Sequence, residues 1–281
     1  MLLSLSYGFF DYKYNITGFT SDLFSTAHII YIILAFASVI AFSIIFRNAK
    51  HERIDIFLKI LSILMVVFEI TKISWESYWD ISTGRGFNYG GLLPLYTCSL
   101  FIYTLLCSAW CKKGSAVREY SLAFLTTIGM LSGAIGVVEC NGLNFYPFWT
   151  FGAWYSLLFH YMMFATGMLL LACRYKKLEW IDIVKGWVPM TILAIFALPA
   201  SYEYGADYMQ LREGSGIPLF STLATKMAEI KLRWLFSAIM LCAYMILSGL
   251  VVSVYKLIEH ICKKRAEKTQ QQNLEAKSDN L

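Results

Sequence analysis

Three ionisable residues, Glu69, Lys72 and Glu76, interrupt an otherwise apolar run, MVVFEITKISWE. Offsets of three and seven place them on one face of a helix, where Glu69 can pair with Lys72 and Lys72 with Glu76. A second stretch, LLPLYTCSLF, brings Tyr96 and Cys98, and a third, YSLLFHYMM, brings His160. A thiol, an imidazole and a carboxylate are the parts of a nucleophilic centre. The thiolate attacks, the imidazole takes its proton, and Glu69 would orient the ring as the third member of a triad does. Lys72 or the Tyr96 hydroxyl would stabilise an oxyanion or hold a phosphate headgroup. Asp207 and Tyr208 stand where they would border such a pocket. Each residue also has a plain reading: a structural ion pair, an interhelical hydrogen bond for His160, and a cysteine packed as a small hydrophobe. Only their convergence argues for chemistry.

The elements that must position these groups are membrane helices. The chain of 281 residues is 58% hydrophobic and only 15% charged, whereas soluble domains carry about a quarter charged residues. Its mean hydropathy is +0.55. Several nearly uncharged runs reach the ~20 residues that cross a bilayer. The expected fold is all-α: a polytopic helix bundle of about seven spans, near 26–46, 57–78, 92–110, 120–138, 149–173, 183–200 and 235–257. The bundle forms one unit over 26–258, between an external segment 1–25 and a cytoplasmic, disordered basic tail 259–281. The first residues lack a basic leader, so no signal peptide is expected.

Charge bias sets the orientation. The loops at 47–56, 111–119 and 174–185 together with the segment from 256 onward hold 16 Lys and Arg, and the opposite side holds six. The N-terminus is therefore expected outside and the C-terminus in the cytoplasm of a multi-pass cell-membrane protein. At 1.5 Å per residue, Glu69 then lies ~14 Å, Cys98 ~9 Å and His160 ~16 Å below the outer surface. The inner halves are nearly bare of ionisable groups, so the polar side chains define an asymmetric pocket in the outer half of the membrane. Buried charges of this kind face the bundle interior or a watery cavity.

The seven cysteines form no CxxC pair and no metal-ligand spacing, and Cys140 is alone on the outer side. Neither a disulfide framework, a metal nor a cofactor is expected. Membrane lipids are the expected partners; the composition makes no case for nucleic acid, and the oligomeric state stays open. The aromatics Tyr146, Phe148 and Trp149 read as an interfacial belt. In the long external segment 201–234, GSGIP is a turn signal, and IPLFSTLATKMAEI reads equally as a surface lid or as a connector.

The order of Glu69, LLPLYTCSLF, FGAWYSLLFHYMM and YGADYMQL, over roughly residues 55–255, resembles the YwaF-like family of bacterial integral membrane proteins. The resemblance implies a bundle of six or seven spans. A distant animal branch consists of acyltransferases that remodel ether phospholipids through an acyl-cysteine, with help from a histidine. His160 matches the family histidine, and Glu69 and Lys72 match an acidic and a basic residue in the second span. Cys98 stands three positions after the animal-branch cysteine, one turn deeper on the same face. Tyr96 replaces a histidine of the bacterial relatives, DYM stands where they have Asn-Tyr-Met, and their Gly-Pro-Trp stretch before the last span is absent.

Two functional classes follow. One is an enzyme on lipid acyl groups, an acyltransferase or acyl hydrolase, with Cys98 as nucleophile, His160 as base and Glu69 as orienter. The other is a protein that binds or transports a small molecule or ion in the same pocket. A retinal-type pigment is not supported, because the last span has no lysine for a Schiff base.

Overall fold

The first apolar run forms a single uninterrupted helix, α1 (Thr26–Phe46), started by the Ser25 side chain, which accepts a hydrogen bond from the His28 amide. The computed structural model describes residues 7–215 and 218–278. Positions 1–6 of the expected external segment, 216–217 of the expected turn and 279–281 of the tail lie outside these. Further elements are α2 (His51–Ser82), the short turn α3 (Tyr89–Leu92), α4 (Leu100–Trp110), α5 (Ala116–Thr126), α6 (Ile128–Val138), α7 (Phe151–Ala172), α8 (Asp182–Tyr204), α9 (Pro218–Glu229) and α10 (Arg233–Ser278). No strand forms among the described residues.

The structure is a polytopic helix bundle. Five helical stretches are long and apolar enough to cross a membrane: Thr26–Phe46, Ala116–Asn144, Phe151–Ala172, Asp182–Tyr204 and Arg233–Gln270. Two of the seven expected spans differ. The 32 residues of α2 include Lys59, Glu69, Lys72, Glu76 and Asp80, too many charges for a membrane helix by composition alone. α4 has only 11 residues, about half a bilayer at 1.5 Å per residue. The core joins α2, α4, α5, α7, α8 and α10 through residues such as Leu58, Phe101, Phe124, Met163, Met190 and Phe236. α1 stands outside it, leaning on α7.

Two breaks shape the interior. The expected third span does not run as helix from 92: residues 93–99 are irregular, and Pro94 lies within them. Irregular backbone at membrane depth is tolerated where it is buried in protein or lines a cavity, and this segment carries Cys98. The expected fourth span is divided at Thr127 (φ −116°, ψ −105°). The Thr126 and Thr127 hydroxyls donate to the carbonyls of Leu122 and Ala123, at 2.7 and 2.6 Å, the back-bonding that bends helices.

α10 runs through residue 278, so the tail expected to be disordered instead continues the last span as helix. Its 46 residues would reach about 69 Å, far more than the membrane requires.

At the basic end, Arg118 is buried at 5% exposure and donates to Asp55 at 2.6 Å and to the Tyr175 hydroxyl at 2.5 Å. Tyr175 also donates to Asp55, and Lys113 lies 2.5 Å from it. Burial pushes the Asp55 carboxyl up, but the hydrogen bonds from Lys113, Tyr175 and Arg118 outweigh it and leave the group below the usual carboxylate range. A depressed carboxylate contributes stability that is present above its unfolded pKa, about 4, and is lost as pH falls through the folded value. Asp55→Asn should therefore cost about 2 kcal/mol at pH 7. It should also flatten the fall in melting temperature between pH 5 and pH 3, read by thermal unfolding in detergent. An unchanged acid limb would show that Asp55 is not the group responsible.

Candidate functional site

A cavity of about 170 Å³ opens between α2, α7 and the irregular segment ahead of α4, towards the end that carries the N-terminal residues. Lys72, Glu76, Cys98, Tyr155, Ser156 and His160 line it, with Trp75, Tyr146 and Phe159 as aromatic walls. Three of the expected site residues, Lys72, Cys98 and His160, thus share one cavity.

His160 sits on α7 with Nδ1 2.8 Å from the carbonyl of Ser156, one turn earlier. A carbonyl only accepts, so Nδ1 carries the proton and Nε2 is left with its lone pair. The ring fits because α6 offers no side chain there. A Cβ on Gly136 would lie 2.0 Å from its Cδ2, and one on Gly133 would lie 2.5 Å from the Phe164 backbone nitrogen. Gly129 and Gly133 form the G-x-x-x-G spacing that lets membrane helices approach closely.

Glu69 is buried at 9% exposure and accepts a hydrogen bond from the Tyr155 hydroxyl. It meets the cavity through Tyr155, while the contact that orients His160 comes from Ser156. Lys72 pairs with Glu76 at 2.7 Å rather than with Glu69, which faces α7. Double-mutant analysis of Lys72→Met and Glu76→Gln should therefore give a coupling of about 1–2 kcal/mol in thermal unfolding. The pair Lys72→Met and Glu69→Gln should be near additive. The reverse ranking would contradict this pairing.

The remaining expected residues lie elsewhere. Tyr96 packs edge-on against Tyr208, ring centroids 5.0 Å apart, and the fully buried Tyr208 donates to the Gly90 carbonyl at 2.7 Å. Asp207 organises its own loop, accepting from the amides of Arg212, Glu213 and Ser215 at 2.9, 3.1 and 2.8 Å. None of the three lines the cavity. α9 docks Phe220, Leu223 and Met227 on the core, and its residues belong to a separate polar cleft with Arg212 and Arg233.

The N-terminal segment roofs the cavity end. The indole N–H groups of Trp75 and Trp79 donate to the Phe10 carbonyl at 2.8 and 3.0 Å, and the Phe151 amide donates to Phe9 at 2.7 Å. Tyr12 packs on Trp75 and Tyr146. Under this roof Cys140 is fully buried, its thiol donating to the Ser156 hydroxyl at 3.3 Å. Cys140, expected on the outer side, is therefore shielded from reagents in solution. Tyr146 and Phe148 are buried too, and only Trp149 keeps the exposure of a belt residue. Sequence reasoning missed Tyr146, Tyr155 and Ser156 as cavity residues. Ser156 precedes His160 by four positions, so helical spacing marks it as a neighbour, whereas Tyr155, five positions before, carries no such signal.

These features define a multi-pass helical membrane protein with a polar cavity between its helices at one end. A family model described as the TMEM164 family matches residues 23–256, and the chain belongs to that family. This family, not the YwaF-like grouping suggested by the motifs, is the one the match establishes. No match is found among curated proteins or among solved structures.

Proposed function

We propose that this protein moves acyl groups between lipids through an acyl-cysteine on Cys98. The observation that carries the reading is one cavity lined by a thiol and by an imidazole whose Nε2 is free to accept a proton. Its chemistry comes from the motif resemblance. His160 takes the Cys98 proton, the sulfur attacks the ester carbonyl of a phospholipid, and a tetrahedral oxyanion forms. As the C–O bond breaks, the imidazolium returns its proton to the leaving lysophospholipid oxygen. An acceptor hydroxyl, or water in a hydrolase, then attacks the thioester with His160 as base and restores the thiol. Lys72 faces the same space, and its ammonium, with donors left over from its pairing with Glu76, would stabilise the oxyanion or hold the phosphate. Glu69 fixes the Tyr155 hydroxyl. Tyr96, Asp207 and Tyr208 act by shaping the segments around the pocket. The protein works in the cell membrane on lipid from the outer leaflet, with its N-terminus outside.

The test is turnover of phospholipid carrying a labelled acyl chain by the purified protein in mixed micelles. Wild type should release lysophospholipid and acylate an added lyso acceptor, and a folded Cys98→Ala variant should do neither. Undiminished turnover by Cys98→Ala would remove Cys98 as nucleophile.

The alternative is binding or transport of a small molecule or ion. The break at Thr127 and the half-length α4 favour it, because transporters build sites at interrupted helices. Against it, the ionisable side chains that line the cavity gather at one end of the bundle.

A further inference from the structure

α1 and α2 are joined by a tight turn at residues 47–50, closed by a hydrogen bond from the Ala49 amide to Phe46 at 2.8 Å. They nevertheless splay apart: α1 packs on α7 and touches α6, with only slight contact to α2. The wedge between them is a groove of about 410 Å³ at the basic end of the bundle, far along α7 from the Cys98 cavity. Its trough is apolar, with Phe42 and Phe46 on α1, Phe57 on α2 and Leu169 as the floor. Its rim is polar, formed by Asn48 and Arg53. Arg53 is exposed, and among the described residues it has no carboxylate within ion-pair distance. Arg47 and Lys50 in the adjoining turn are exposed and add like charge. Glu52 is the nearby exposed acid, whereas Asp55 is already engaged by Arg118, Lys113 and Tyr175.

In a membrane this wedge meets the acyl region along its trough and the headgroups at its rim. An apolar trough holds water unfavourably, and a cationic rim attracts phosphate. Phe42 and Phe46 pack against each other at a tilt, ring centroids 4.4 Å apart, and form one wall of the slot. We propose that the groove binds one anionic phospholipid from the leaflet facing the basic loops, an acyl chain lying along Phe42, Phe46 and Phe57 and the phosphate on Arg53. The lipid fills the gap that helix packing leaves open and ties α1 to the bundle. This site is independent of the acyl-transfer reading.

The test uses the full-length protein in nanodiscs containing phosphatidylglycerol or phosphatidylcholine with a photoreactive diazirine in the acyl chain. Adducts are mapped by peptide mass spectrometry. With the phosphatidylglycerol probe, adducts should concentrate on residues 42–57. Arg53→Glu, at an exposed position, should reduce them about fivefold, the effect of one basic side chain near an anionic headgroup. Ile45→Trp, at a groove residue 72% exposed, should also reduce them by narrowing the slot, while adducts on the lipid-facing Ile195 and Phe196 of α8 stay constant. The proposal is overturned if adducts follow exposed area over all helices, if Arg53→Glu leaves the groove adducts unchanged, or if phosphatidylcholine labels the groove equally well.

Discussion

Gly136→Ala is expected to yield a folded protein that has lost its activity. The added methyl would stand 2.0 Å from Cδ2 and 2.6 Å from Nε2 of the His160 ring, so the imidazole must swing away and give up its hydrogen bond to Ser156. The obstacle is a side chain, which can move, and the helices need not part. Gly133→Ala differs, because its Cβ would meet the Phe164 backbone nitrogen at 2.5 Å and the Met163 Cβ at 2.7 Å. Neither can yield without separating α6 from α7, one of the most extensive helix contacts in the bundle. Overpacking costs about 1–3 kcal/mol and sometimes more, against a total stability of about 5–15 kcal/mol. Thermal unfolding and size-exclusion profiles in detergent should therefore show a folded, mildly destabilised Gly136→Ala and a depleted Gly133→Ala. Acyl-transfer activity should fall at least about 100-fold in Gly136→Ala, as for loss of the base itself. Full activity in that variant would mean that His160 is not used where it lies.

The second large effect is that of His160→Gln. As a packing residue His160 would be replaced at little cost, since hydrogen bonds between membrane helices average about 0.6 kcal/mol. As a general base it has no substitute in an amide, which takes up no proton at neutral pH, and such catalysis contributes about 10²–10⁴-fold. The expected result is a melting temperature close to wild type with turnover reduced by that factor. Equal turnover would leave His160 as a structural residue and favour the binding or transport reading.

Much of the architecture was legible before any coordinates. The limits of α1 and α7 fall close to the expected 26–46 and 149–173 because long apolar runs flanked by turn residues have one stable form in a bilayer. The breaks were not legible. Threonine pairs are ordinary in membrane helices, and only the hydrogen bonds of Thr126 and Thr127 to the preceding turn show that the helix yields there. The span expected from 92 ran straight through Pro94, and nothing in the apolar residues after it foretold that the chain would stay irregular to Ser99.

In the site, burial cost predicted which charges turn inward, and Lys72 and Glu76 do line the cavity. The partner of each was harder to foresee. Glu69 found a tyrosine hydroxyl on α7, 86 residues away, a contact that no local spacing encodes. The burial of Cys140 was hidden for the same reason: Tyr12 and its neighbours, more than a hundred positions earlier in the chain, close over it.

The central claim is that Cys98 becomes acylated with His160 as its base. Intact-protein mass spectrometry after brief incubation with phospholipid, with and without hydroxylamine at neutral pH, tests it most directly. The account predicts a mass gain of one acyl chain on wild type, mapped to the peptide holding Cys98 and removed by hydroxylamine. It predicts strongly slowed formation on folded His160→Gln and none on Cys98→Ala. The same hydroxylamine-labile adduct on folded Cys98→Ala, with the Cys98 peptide of wild type unmodified, would contradict it.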